Sequence, residues 1–197
     1  MTEDVNGKSG CVSRRSFALG LAMTMVAPGV ARAEHPSVAY MRKVAKDMLN
    51  AHRQGTVASF RRAITRHADL AGIGDYSLGQ YRPKLPSGQK DRYYSGVATF
   101  MARYFADQSR QYPVAKYELG EATVTDGKDV QINSKVFLMS GQTYTVVWKL
   151  GWIGGRYKIT DVKVLGFSLV YLQRGIFTSF ISKRNGDVAQ LVIALNR

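Results

Sequence analysis

Residues 144–181 read YTVVWKLGWIGGRYKITDVKVLGFSLVYLQRGIFTSFI and change their hydrophobic period partway along. Residues 144–150 and 157–164, on either side of Gly154-Gly155, place apolar side chains at alternate positions, with one slip in phase near Asp161. This period of two predicts strands, and the slip predicts a β-bulge. After Gly166, which ends the second strand, apolar residues recur every three or four positions from Ser168, so we expect a helix with Ser168 as its N-cap.

The same alternation extends towards the N-terminus and predicts a sheet. The turn dipeptides Asp126-Gly127, Ser140-Gly141 and Gly154-Gly155 separate four extended runs at 114–125, 130–139, 143–152 and 157–164. Turn dipeptides between alternating segments are typical of successive hairpins. We therefore expect a four-stranded, twisted antiparallel meander.

Helices are predicted on both sides of this meander. Apolar residues recur at helical spacing in three segments: residues 36–54, a segment beginning after Gly55, and residues 89–111 up to Tyr112-Pro113. Residues 72–88 are rich in Gly, Pro and Tyr, so we expect short helical turns and loop there. Together these segments predict an α+β fold in which helices cover one face of the sheet.

The first 33 residues predict an export signal. A twin-arginine sequence at 13–17 precedes an apolar run at 18–30 and the small-residue pattern Ala31-Arg32-Ala33. The apolar run is shorter than the roughly 20 residues of a membrane-spanning helix, and Pro28 and Gly29 interrupt it, which argues against an anchor. Residues 34–197 are then expected to form a single domain without cysteine.

The chain is strongly basic. Its 28 Lys and Arg against 14 Asp and Glu give +14, and removing the four basic and two acidic residues of the signal leaves +12. Such a charge could attract nucleic acid, anionic lipid or an acidic partner, but export argues against nucleic acid. The basic residues are scattered in short pairs, so solvated helix faces also explain most of them.

Groups for catalysis or metal binding are sparse. His52 and His67 fall on separate predicted helices without the spacing of a zinc site, and His35 adjoins the cleavage position. Gly166-Phe167-Ser168-Leu169 lacks the second glycine of a nucleophile elbow, and the carboxylates lie mostly at turns. We therefore expect no catalytic residue, no cofactor and no metal site.

Residues 155–170, GRYKITDVKVLGFSLV, with Arg174 and Phe177 downstream, resemble the MlaC or toluene-tolerance family. The likeness extends through Asn185-Gly186-Asp187 to the C-terminus and, more loosely, back to the first helices. It implies a periplasmic phospholipid carrier with an apolar cavity between sheet and helices and the headgroup near solvent. It also implies exchange with an inner-membrane ABC transporter complex and an outer-membrane lipoprotein complex. We expect the carrier to be a monomer.

The resemblance leaves the cargo open. At Leu165 the family often carries an acidic residue, so a specialised hopanoid-associated branch with a polycyclic cargo remains an alternative. A cofactor-free enzyme and a structural module with a filled core are further alternatives. Headgroup contacts are expected on a rim that includes Tyr81, Arg82 and Lys84.

Periodicity assigns the cavity wall to apolar residues of the long helix, the strands and the Gly166 junction. Phe137 and Met139 are as apolar as their neighbours, so the inward face of that strand is ambiguous. The predicted lipid-binding residues are Val97, Phe100, Met101, Tyr104, Val136, Leu138, Val146, Trp148, Ile159, Val162, Phe167 and Leu169.

Overall fold

A computed structural model describes residues 34–126 and 129–197. The predicted export signal and Gly127 of the first predicted turn lie outside these residues. Six α-helices are present in the described ranges, and two 3-10 turns, Gly79–Lys84 and Ser87–Gln89, connect the third to the fourth. The helices are α1 Pro36–Gln54, α2 Val57–His67, α3 Leu70–Leu78, α4 Lys90–Gln111, α5 Leu169–Ser182 and α6 Val188–Leu195.

The strands form one antiparallel meander in chain order. They are β1 Val114–Asp126, β2 Asp129–Leu138, β3 Thr143–Ile153, β4 Arg156–Val164 and β5 Phe167–Ser168. Gly154 and Gly155 both have positive φ, at 58° and 78°, which is the backbone that a tight hairpin turn requires. The α+β prediction is confirmed, with one correction: the sheet has five strands, because Phe167 and Ser168 pair with β4 after the Gly166 turn.

The predicted bulge is present in β4. Lys149 of β3 pairs with Asp161, whereas the next residue, Leu150, pairs with Ile159, so Thr160 is the extra residue. A bulge of this kind shifts the inward-facing positions by one. Val162 and Val164 consequently face the same side of the sheet as Ile159.

Asp161 joins the end of the sheet to α5. One carboxylate oxygen accepts hydrogen bonds from the Val162 amide (2.8 Å), the Ser168 hydroxyl (2.9 Å) and the Val170 amide (3.3 Å). The Ser168 oxygen in turn accepts from the Tyr171 amide at 3.0 Å, which confirms the predicted N-cap. The start of α5 is therefore fixed against β4.

The interior contains two main apolar clusters. One is formed by α2 to α6 and includes the fully buried Tyr93 and Phe177. In the other, Met41 and Val44 of α1 pack on Ile132 and other sheet residues. The short helical turns predicted for residues 72–88 are present as the two 3-10 turns, whereas α3 and α6 as full helices were not predicted. Helix α3 contains two glycines, and Gly74 lies against the rings of Tyr93 and Tyr94, where a side chain would not fit.

Candidate functional site

A cavity of about 700 Å³ lies between the sheet and the helices and is partly open to solvent. Helices α1, α2 and α4, strands β1 to β4 and the start of α5 all contribute to its wall. The lining residues are Ala45, Met48, Leu49, His52, Phe60, Tyr104, Phe105, Gln108, Ser109, Tyr112, Val114, Tyr117, Leu119, Ser134, Val136, Leu138, Gln142, Thr143, Tyr144, Val146, Trp148, Val162, Val164, Leu165 and Leu169.

The sheet side of the wall is apolar. Val136, Leu138 and Val146 form a small buried cluster that faces the cavity. The Trp148 indole N–H donates to the Ser134 hydroxyl at 2.9 Å, and that hydroxyl donates to the Val146 carbonyl at 3.4 Å. Because these polar groups bond to each other, this wall offers mainly hydrocarbon surface to a ligand.

The ionisable side chains of the wall are uncharged at neutral pH. His52 Nε2 accepts a hydrogen bond from the Val114 amide at 2.9 Å, and burial lowers the pKa of His52 below its ordinary 6.5. Burial raises the pKa of Tyr144, with Tyr104 adding to the effect, so this phenol stays protonated. None of the 25 described residues that line the cavity is Lys, Arg, Asp or Glu.

Seven of the twelve predicted lipid-binding residues line this cavity, and the structure places five elsewhere. The seven are Tyr104, Val136, Leu138, Val146, Trp148, Val162 and Leu169. Val97 is fully buried in the helical cluster, where Phe100 and Met101 also pack. Ile159 packs beneath α1, and Phe167 is 68% exposed.

The position of α4 explains most of this difference. Only its C-terminal part, from Tyr104 onward, reaches the cavity, while its earlier turns contact α3, α5 and α6. Phe100, for example, packs edge-on against Phe177 of α5, with ring centroids 5.1 Å apart. An apolar stripe predicts that a helix face is covered but does not identify the element that covers it.

The structure also supplies wall residues that the sequence prediction did not include. Ala45, Met48, Leu49 and His52 of α1 form one side of the cavity. The apolar stripe of α1 was the signal that could have identified them, because it continues beyond the part of the helix that packs on the sheet.

The predicted rim lies away from the cavity. No residue of the 72–88 segment, all of which is described, is among those lining it. Lys84 lies beside Gly186, beyond the C-terminal end of α5, whereas the cavity touches only the first residue of that helix. Fourteen helical residues span about 20 Å. Tyr81, Arg82 and Lys84 thus do not line the cavity, and Lys84 lies at the opposite end of α5 from it.

A separate polar group lies outside the cavity. His67 Nε2 is 2.8 Å from a carboxylate oxygen of Asp47, and the Tyr40 hydroxyl donates to the His67 carbonyl at 3.2 Å. The hydrogen bond with His67 is the main cause that lowers the pKa of Asp47. Within residues 34–126 and 129–197, no three His, Cys, Asp or Glu side chains are grouped as a metal site would require. Over the same residues, every helix is too short or too polar to cross a bilayer.

Comparisons with known proteins agree with this architecture. The family model described as MlaC protein matches residues 39–197. A phospholipid-binding protein from Ralstonia solanacearum, solved in complex with a phospholipid, superposes with a TM-score of 0.65 at 19% identity. The match covers 80% of this chain and 93% of that one. No curated protein gives a significant match. Because the family model spans nearly all of the described residues, this chain belongs to the MlaC family.

Proposed function

We propose that this protein is a periplasmic phospholipid carrier that shelters acyl chains in the cavity between sheet and helices. The observation that carries the proposal is the cavity itself, which is large, open and lined without a charged residue among those described. Its volume of about 700 Å³ lies within the range typical of ligand pockets. The phospholipid in the Ralstonia relative, which shares the fold, supports the same class of cargo.

The energetics suit a carrier. Two acyl chains of roughly 30 methylenes gain on the order of 24 kcal/mol on leaving water, at about 0.8 kcal/mol each. In a bilayer the same methylenes are already shielded from water, so the free energy of transfer from membrane to cavity is close to zero. Direction must then come from the complexes at either end, which we propose are an inner-membrane ABC transporter complex and an outer-membrane lipoprotein complex.

The wall supports binding rather than chemistry. His52 accepts a hydrogen bond from the Val114 amide, and burial disfavours the charged form of the imidazole. The described lining contains no carboxylate to act with it as an acid and base pair. We therefore propose that the lipid is held by the seven predicted wall residues together with the α1 side of the cavity, and that it leaves unchanged.

We also propose that the twin-arginine sequence at 13–17 directs export and that residues 34–197 function as a monomer in the periplasm. Fusing residues 1–40 to a reporter that is active only after export of a folded protein tests the route. Arg14→Lys with Arg15→Lys should abolish export, and unchanged export would contradict this assignment.

Organic extraction of the purified protein followed by mass spectrometry tests the cargo. We expect about one two-chain phospholipid per protein. A polycyclic lipid in its place would favour the hopanoid alternative. Recovery of no lipid, together with failure to load phospholipid from vesicles, would contradict the carrier proposal.

A further inference from the structure

A second, more open depression of about 510 Å³ lies between α1 and the edge strand β1. Arg42, Lys46, Asn50 and Arg53 of α1 line it. The spacing of these four residues places them on one face of the helix. In contrast to the main cavity, this surface is basic.

The two hollows adjoin each other. Leu49, Tyr117 and Leu119 line both the main cavity and the basic depression. A lipid with its chains in the main cavity would therefore have the basic depression on the other side of these shared side chains, within reach of a headgroup that emerges beside them. The basic depression therefore places positive charge beside the main cavity, whose described lining contains no charged residue.

Three acidic groups near the depression already have partners. Arg42 pairs with Glu34, and Asp47 pairs with Arg66 and His67. On β1, Glu118 pairs with Lys116 at 2.8 Å, and alternation along the strand turns both away from the face that carries Tyr117.

The basic side chains are consequently available to an anion. In the part of the chain that the structure describes, neither Lys46 nor Arg53 forms an ion pair, and both are solvent-exposed. A phosphate ester matches them in charge, because Lys and Arg form charge-assisted hydrogen bonds with phosphate oxygens.

We propose that this basic depression binds a phosphate-type oxyanion, namely the headgroup phosphate of a lipid whose chains fill the adjoining cavity. The inference rests on the proposed function for the position of the chains. It adds that the protein distinguishes phosphate-bearing lipids from neutral lipids with the same chains.

A competition experiment tests the assignment. Lipid-free protein is loaded at equilibrium from dilute detergent containing equal amounts of phosphatidylglycerol and diacylglycerol with identical chains. Bound lipids are then counted by mass spectrometry. We expect wild type to prefer phosphatidylglycerol by about fivefold, the factor expected for two exposed ion contacts. In Lys46→Gln/Arg53→Gln the ratio should fall to about one with total lipid unchanged.

Arg62→Gln/Lys90→Gln is the matched control, because it removes the same charge from exposed positions that line neither hollow. This control should keep the wild-type ratio. Retention of the preference in Lys46→Gln/Arg53→Gln, or an equal loss in the control, would overturn the headgroup assignment. Failure of wild type to load either lipid would overturn the proposed function and this inference together.

Inorganic phosphate distinguishes a lipid headgroup from a free anion as the ligand. Phosphate is titrated into lipid-free and phosphatidylglycerol-loaded protein while backbone amide signals near Lys46 and Arg53 are followed by NMR. Shifts that occur only in the lipid-free protein support the assignment, because the headgroup then occupies the site. Equal shifts in both forms would show an independent anion site and overturn it.

Discussion

Filling the cavity from its wall should stabilise the lipid-free protein. Val146 lies on β3, lines the cavity and belongs to the small cluster on the sheet side. Val146→Phe adds about four carbons, which at about 0.8 kcal/mol each sets an upper limit of about 3 kcal/mol on the added burial. Ordering the larger side chain reduces this gain, so we expect about 1–2 kcal/mol.

The same substitution in a filled part of the interior should have the opposite sign. Val97 is fully buried in the helical cluster and does not line the cavity, so Val97→Phe is the matched control. Overpacking a filled core costs about 1–3 kcal/mol.

Thermal unfolding of delipidated protein measures both effects. For a domain of this size, 1 kcal/mol corresponds to about 2–4 °C in Tm. We expect Val146→Phe to raise Tm by about 2–8 °C and to lower lipid occupancy, whereas Val97→Phe lowers Tm. A fall in Tm for Val146→Phe as large as that for Val97→Phe would show that the cavity beside Val146 has no room for a larger side chain.

Three further changes test individual contacts. Asp161→Ala leaves two amides and a hydroxyl at the junction of β4 and α5 without their acceptor and should lower the free energy of unfolding in urea by about 2–3 kcal/mol; a change below about 0.5 kcal/mol would contradict this role. His52 has a folded-state pKa below its ordinary 6.5, so its contribution to stability is complete above pH 6.5 and is lost as pH falls towards the folded-state pKa. His52→Gln, which can still accept from Val114, should therefore show a smaller drop in Tm between pH 7.5 and 5, and an unchanged drop would exclude His52 as its source. A Cβ at Gly96 would lie 2.7 Å from the Leu195 Cβ, so Gly96→Ala should lower Tm by separating α4 from α6, and an unchanged Tm would show that the helices can separate at no cost.

Local sequence signals were sufficient for the sheet. Turn glycines and period-two alternation placed β1 to β4 within one residue of their observed ends, and the slip near Asp161 identified the bulge. These features depend on backbone sterics and on neighbours close in sequence. The pairing of Phe167 with Val164 was missed, because two residues are too few to show a period.

The site depended on contacts that are distant in sequence. On β3 and β4, periodicity identified Val146 and Val162 as wall residues, since in the described residues the helices cover one face of the sheet; on β2, where both faces are apolar, it left Val136 ambiguous. On α4, apolar residues continue along the whole helix, and only the tertiary arrangement decides that Tyr104 reaches the cavity while Val97 does not. The charges of Lys46 and Arg53 were visible in the sequence, but their position beside the cavity was not.

Fluorescence quenching by lipid with brominated acyl chains tests the central claim most directly, because the chain has only two tryptophans. Trp148 lines the cavity, whereas Trp152 is 44% exposed and packs against Tyr157 outside it. In Trp152→Phe, which retains Trp148, we expect strong quenching when the brominated phospholipid binds, and in Trp148→Phe we expect little. Equal quenching of the two variants, or none in Trp152→Phe with lipid bound, would contradict an acyl chain in this cavity.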